Sequence, residues 1–413
     1  MIHFERFTLD NGLRVLLHED HGTPLVAVNI LYDVGARDED PEHTGFAHLF
    51  EHLMFGGSVN IPSYDTPLQI AGGENNAFTN NDITNYYLTL PAQNLETALW
   101  LESDRMLSLA FNEKSLDVQR NVVIEEFKQR YLNQPYGDVW LKLRPLAYTQ
   151  HPYQWATIGK EVSHIEQATL EQVKSFFSAW YRPDNAILCL AGAINTTEAL
   201  ELVKKWFGPI PAGVSKTREL PAEPTQTIQR RLVLQRDVPA SHLYLAFHCC
   251  ARRDSEFYAT DLLSDILSRG KSSRLYQTLV KDQQLFTEIG AYMLGDFDKS
   301  LFVVEGKLVH GVDVDKAEEA IFTELDRLVH GISERELDKV KHKAEASFRF
   351  SEMGVASKAL NLCYFELLGD ANESNLQPER YNAVTETEII QVAKTILRPE
   401  NCSILHYIST QHA

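Results

Sequence analysis

The sequence predicts two related α+β domains, each a mainly antiparallel sheet packed with helices, and three observations carry that expectation. The first is length, since 413 residues exceed what a single hydrophobic core organises. The second is a proline-rich, polar stretch, Pro211 to Ser215 and Pro221 to Thr225, which splits the chain nearly in half. The third is an internal echo. Leu31-Tyr32-Asp33-Val34-Gly35-Ala36-Arg37 followed by a helix resembles Ala246-Phe247-His248-Cys249-Cys250-Ala251-Arg252 followed by helical Leu262 to Leu267. The expected division is 1–212, a linker at 213–228, and 229–413.

The elements follow in order. Leu13 to Leu17 and Leu25 to Leu31 read as neighbouring strands. Thr44 is the expected N-cap of a buried helix in which Phe46, Ala47, Leu49, Phe50, Leu53, Met54 and Phe55 are apolar, and Gly56-Gly57 ends the run. Asn112 to Asn133 lacks Gly and Pro and repeats apolar residues at Val118, Val122, Val123 and Phe127, a second helix. Ala186 to Ala191 is a buried strand. In the second half Leu232 to Leu234, Ser241 to His248 and Leu301 to Leu308 read likewise. His242 and His248, six apart on one strand, share a side and are expected to be core or pocket residues.

Composition narrows the function. Hydrophobic content of 44% with 23% charged residues fits a soluble globular protein. No run of 18 apolar residues marks a membrane span. Met1 to Arg6 shows no basic region before an apolar core, so the expected compartment is the cytoplasm, or the periplasm if a leader has been removed. Cys189, Cys249, Cys250, Cys363 and Cys402 are scattered, without Cys-x-x-Cys spacing, and read as buried thiols in a reducing compartment. A net charge of −18 without a basic stripe argues against nucleic acid and suits cationic peptides.

The chemistry centres on His48-Leu49-Phe50-Glu51-His52. Histidines four apart share a helix face, and Glu51 can lean toward a metal-associated water without being a ligand. This is the inverzincin order. A catalytic zinc ion takes three protein ligands and leaves a position open, so a third donor is needed from elsewhere. Glu125 and Glu126 on the second helix are both candidates. The second half has Leu262 to Leu267 where the first has this motif, which confines the site to the first half.

Taken together, these segments resemble the insulinase, or pitrilysin-like, metallopeptidases, in the branch of mitochondrial processing peptidase and its bacterial relatives. The resemblance runs over Gly45 to Ser58, over Gly72 to Thr79 with Asp82, Thr84, Tyr86 and Tyr87, and over His151-Pro152-Tyr153 and Tyr181 to Ala186. It implies Glu126 as the third ligand of one Zn2+ per chain and Glu51 as general base. It also implies Asn75, Asn76, Ala77 and Phe78 as a strand offered to the backbone of an unfolded peptide, and two double domains closing as a clamshell. The family's acid seven residues before the carboxylate ligand is Gln119 here.

The family also carries, after a Ser-Ser-Arg-Leu helix start, an arginine and a tyrosine seven residues apart that hold the substrate and its oxyanion. Ser272-Ser273-Arg274-Leu275 matches the start, but Val280 and Thr287 occupy the pair's positions; Lys281 and Tyr292 do not replace it. This pattern implies a catalytic subunit whose partner is a homologous chain without zinc that carries Arg and Tyr. The alternative is a non-catalytic scaffold or peptide-binding subunit.

Overall fold

The computed structural model describes residues 1–213 and 218–411. The chain forms two compact units, and neither is continuous in sequence. The first contains Met1–Gln129, Trp155–Leu220 and Arg349–Leu376; the second contains Arg130–Gln154, Pro221–Phe348 and the chain from Gln377 onward. The division between Leu220 and Pro221 falls inside 213–228. Val214 and Ser215 of the proline-rich stretch lie outside the described residues.

The first unit holds a sheet of β1 (Glu5–Thr8), β2 (Arg14–Glu19), β3 (Leu25–Tyr32), β4 (Glu74–Thr79), β5 (Thr84–Pro91) and β6 (Ala186–Gly192), in the order β1-β2-β6-β3-β5-β4. The second holds β7 (Arg230–Arg236), β8 (His242–His248), β9 (Phe286–Met293), β10 (Leu301–Leu308) and β11 (Cys402–Ser409), in the order β7-β11-β8-β10-β9. Apart from β1 the two orders correspond strand for strand. The parallel pair falls at the same place in each, β2 with β6 and β7 with β11, and the other neighbours are antiparallel. The sequence echo marks the ends of the corresponding strands β3 and β8. The fold is therefore two copies of one α+β plan.

Strand β6 is buried at every position and β3 at every position after Leu25. An antiparallel sheet with one wet face alternates, so unbroken burial requires cover on both faces. Part of that cover comes from far along the chain. The helix Val355–Leu368 lies across β3 and β6, burying Ala359, Leu362, Cys363, Phe365 and Leu367. Conversely, Val139–Ala147 packs on β7, β8 and β11 of the second unit through Val139, Leu143 and Ala147. A linear division at 1–212 and 229–413 does not capture this exchange, because an apolar helix reads the same whichever sheet it covers.

His242 and His248 are packed as aromatic residues. His242 stacks on Tyr244 at 4.4 Å between ring centres, and His248 stacks on Tyr148 at 5.2 Å while its Nε2 lies 3.0 Å from the Ala147 carbonyl. Burial pushes the His242 imidazole down to about 4. Its folded pKa thus lies below the unfolded value, so stability is present above the unfolded pKa and is lost as pH falls toward 4. Between pH 7 and pH 5 this group costs the fold about 2 kcal/mol. Denaturant titrations at the two pH values should show a smaller loss for His242→Gln than for the natural chain, and equal losses would contradict the assignment.

Candidate metal centre

The helix that carries the histidines, Phe46–Leu53, starts from Gly45, whose φ is +91°. A side chain there would be strained, and a Cβ would come within 2.6 Å of the Ile158 carbonyl oxygen, so glycine is required. Thr44 is not the N-cap expected from the sequence. Its hydroxyl is committed to His164 Nδ1 at 2.9 Å and accepts from the Lys160 N–H at 2.8 Å. The cap is instead Glu39, whose carboxylate accepts from the N–H groups of Gly45 (2.9 Å) and Ala47 (2.8 Å). Burial raises the Glu39 carboxyl to about 8, against the opposing pull of those two bonds.

Leu49, Phe50 and Leu53 turn inward and leave His48, Glu51 and His52 on the other side of the helix. The partner helix, Glu113–Phe127, opens on a reciprocal cap between Asn112 and Ser115 and brings Glu126 over the histidines. Three atoms converge. His48 Nε2, His52 Nε2 and Glu126 Oε2 are each 3.3 Å from the other two. A triangle of that side is the face of a tetrahedron whose centre lies about 2.0 Å from each corner, the length of Zn–N and Zn–O bonds. The side chains remain 14%, 24% and 17% exposed, so the fourth direction opens to solvent. The donor set therefore fits a tetrahedral ion with one free position.

Glu125 does not join the triangle. Its carboxylate is 61% exposed and accepts from Lys128 Nζ at 2.8 Å. Glu51 stands beside the triangle, with Oε2 at 3.9 Å from His48 Nδ1. Gln119 shares the Glu113–Phe127 helix and lies close to Gly56, just past the end of the histidine helix. Among the described residues Asp315, Glu318 and His406 also converge, but there Arg231 donates to both Glu318 oxygens at 2.6 and 2.7 Å and sits 2.9 Å from His406 Nε2. A guanidinium already supplies the cation at that second cluster.

A buried arginine secures the histidine helix from below. Arg105 is held by Glu102, with Nε to Oε2 at 2.9 Å and Nη2 to Oε1 at 2.7 Å, and its guanidinium lies 4.5 Å from the centre of the Tyr86 ring and 4.7 Å from that of Tyr64. The Tyr86 hydroxyl in turn donates to the Phe50 carbonyl at 3.4 Å. Tyr181 stacks on Phe50 at 5.1 Å. Asp82 pairs with Arg37 at 2.9 Å, and the Thr84 hydroxyl donates to the Val34 carbonyl at 2.9 Å. The residues around the motif thus serve its rigidity.

Asn75, Asn76, Ala77 and Phe78 all fall on β4, the edge strand of the first sheet, which pairs with β5 on one side and packs near the histidine helix. In the second unit Val280 lies on the helical turn Tyr276–Asp282 and Thr287 on β9, where its hydroxyl donates to the Lys307 carbonyl at 3.2 Å. By the duplicated strand order β9 is the counterpart of β4.

Comparison with known proteins supplies the family. "Zinc protease PqqE" of Helicobacter pylori is 33% identical over 351 residues, covering 83% of this chain and 79% of that protein. This chain belongs to the insulinase family of peptidases. The family profile described as "Insulinase (Peptidase family M16)" matches residues 14–158, and "Peptidase M16 inactive domain" matches 167–344. "Mitochondrial-processing peptidase subunit beta" of Dictyostelium discoideum is 24% identical over 406 residues, 95% of this chain and 86% of that one. A solved structure titled as a protease from Helicobacter pylori superposes with a TM-score of 0.93 at 29% identity, over 98% of this chain and 100% of that one.

Sequence reasoning missed Glu39 and the Glu102–Arg105 pair. A lone acid six residues before a helix start carries no local signal. Glu102-Ser103-Asp104-Arg105 reads as a solvated face until the aromatic rings around it are in place. The geometry predicts that Glu126→Gln lowers zinc occupancy by at least tenfold while Glu125→Gln leaves it near that of the natural chain. Zinc titration of the two variants measures it; equal losses, or the reverse order, would reject Glu126.

Proposed function

We propose that this insulinase-family chain is a zinc metalloendopeptidase in which His48, His52 and Glu126 hold one zinc ion and Glu51 is the general base. The observation that carries the reading is the 3.3 Å triangle of His48 Nε2, His52 Nε2 and Glu126 Oε2 with its open fourth side. The zinc-protease names of relatives support it. Zinc at this position supplies Lewis acidity, making water easier to deprotonate near neutral pH and a peptide carbonyl more electrophilic. Glu51 takes the proton from the attacking water and passes it to the amine as the C–N bond breaks. The exposed edge of β4 at Asn75 to Phe78 pairs with the backbone of an extended peptide, which selects unfolded segments over particular sequences.

Val280 and Thr287 stand where the family's arginine and tyrosine are expected, which points to a second chain as the source of the oxyanion's second donor. We therefore assign the chain as the catalytic subunit of a pair with a homologous chain that lacks zinc and carries Arg and Tyr. No described helix is long and apolar enough to cross a membrane. Five cysteines without a disulfide among them favour a reducing compartment, the cytoplasm. Val280, Thr287 and the description of 167–344 as an inactive domain favour one rival, a non-catalytic scaffold or peptide-binding subunit. Zinc content together with cleavage of a quenched peptide separates the two.

Two results are expected. Glu51→Gln keeps its zinc and loses turnover by several orders of magnitude, because the amide preserves shape without accepting a proton; metal analysis beside a peptide assay checks this, and retained activity would reject Glu51 as the base. The purified chain alone is a weak peptidase, and a homologous partner with Arg and Tyr raises its turnover about a hundred- to a thousandfold, the usual worth of an oxyanion donor. Full activity of the single chain, unmoved by the partner, would leave a self-sufficient peptidase.

A further inference from the structure

On the second sheet the helix Val139–Ala147 packs on β7, β8 and β11. Farther along that face, over β10 and β9, three residues form one row. Tyr244 of β8 stands opposite Glu305 of β10, and Glu305 stands opposite Gly290 of β9, the edge strand. Side chains paired across strands point to the same side, as do those two apart along a strand. Tyr292 and Glu288 therefore flank Gly290, and Lys307 flanks Glu305. A Cβ on Gly290 would meet no atom within 4 Å, so the row ends in a recess with Gly290 as its floor.

The polar groups of this row are unmet. Glu305 is half-buried and makes no hydrogen bond or ion pair among the described residues, and the charge that acts on it is a second carboxylate, Glu288. Tyr244 is 5% exposed, yet its hydroxyl has no partner and is not sealed from solvent. The Tyr292 hydroxyl has no partner among the described residues either. Burial first, and then the charge on Glu305, pushes both phenols up, which places both beside that carboxylate. The cations nearby are turned elsewhere or stand off. Arg144 lies over Trp140 and donates to the Tyr153 carbonyl at 3.1 Å, and Lys307 forms no ion pair with Glu305 or Glu288. A half-buried carboxylate without a partner is costly, and a ligand cation would remove that cost.

We propose that this recess binds the guanidinium or ammonium tip of an unbranched alkyl chain. Glu305 accepts hydrogen bonds from the cation, the hydroxyl oxygens of Tyr244 and Tyr292 offer further acceptors, and their rings supply an electron-rich wall. Gly290 leaves the room through which the chain enters. A free alkyl cation and a basic side chain of a peptide share this chemistry. The site lies wholly in the second unit and needs neither zinc nor turnover, so its test is separate from that of the peptidase reading.

The test is calorimetric titration of the folded full chain, in zinc-free buffer, with n-butylguanidinium, with its uncharged isostere N-butylurea, and with the capped peptide acetyl-glycyl-arginyl-glycinamide. One cation should bind per chain, and the urea should bind about tenfold or more weakly than butylguanidinium. Glu305→Gln should weaken the cation by a similar factor, and Gly290→Leu, which fills the recess, should abolish binding. Glu334→Gln, an exposed acid elsewhere in the same unit, should change nothing. Binding of the peptide at least as tight as that of butylguanidinium assigns the site to a basic side chain; binding of butylguanidinium alone assigns it to a free cation. No saturable binding of either cation, equal binding of the urea, or an affinity unmoved by both Glu305→Gln and Gly290→Leu would overturn the proposal. The comparison of charged and uncharged isosteres on the natural chain stands whether or not a variant folds.

Discussion

The first unit is organised around keeping three electron-rich atoms 3.3 Å apart on two helices that are far separated in sequence. Nothing local holds such a triangle together, since two imidazole nitrogens and a carboxylate oxygen have no mutual attraction until a cation or shared protons stand between them. The rest of the unit must therefore fix both helices independently. Gly45 sets the direction of the first, and Glu39 satisfies its opening N–H groups from outside. Phe50, Tyr181 and Tyr86 hold its inner face, with Arg105 and Glu102 beneath them. Rigid supports of this kind are what a metal site needs to keep its donors within bonding range before the metal arrives.

Duplication explains why the second unit repeats the strand plan while the helix that follows β8 carries no histidine pair. The strand orders correspond, and β9 stands where β4 stands, yet Phe257–Ser268 follows β8 with a mainly apolar sequence that carries Asp261 and Asp265 but no histidine. That helix buries Leu262, Leu263, Ile266 and Leu267. The same plan thus carries three converging donors on one copy's helices and apolar packing on the corresponding helix of the other.

Much of this plan is legible in the sequence because it is written locally. The spacing of His48 and His52 fixes a shared helix face, the apolar stretches at 25–31, broken only by Asn29, and at 186–191 announce buried strands, and the echo at 246–252 reveals the repeat. What escapes is decided by distant partners. Thr44 has the right chemistry for an N-cap and loses the role to Glu39, which reaches it only through the turn in between. Val355–Leu368 and Val139–Ala147 are apolar enough to cover either sheet, so only the assembled chain shows which one each covers. Glu125 and Glu126 are chemically identical in sequence, and the rotation of the helix between them separates the two.

The most direct test of the metal centre is X-ray absorption at the zinc edge on the zinc-loaded natural chain. The geometry predicts one four-coordinate ion with two imidazole nitrogens and oxygen donors, all at about 2.0 Å. Loss of the imidazole signal with His48→Ala and His52→Ala together would assign those nitrogens. An ion that binds with its imidazole signal unchanged in that double variant, or a chain that takes up no stoichiometric zinc, would contradict the account.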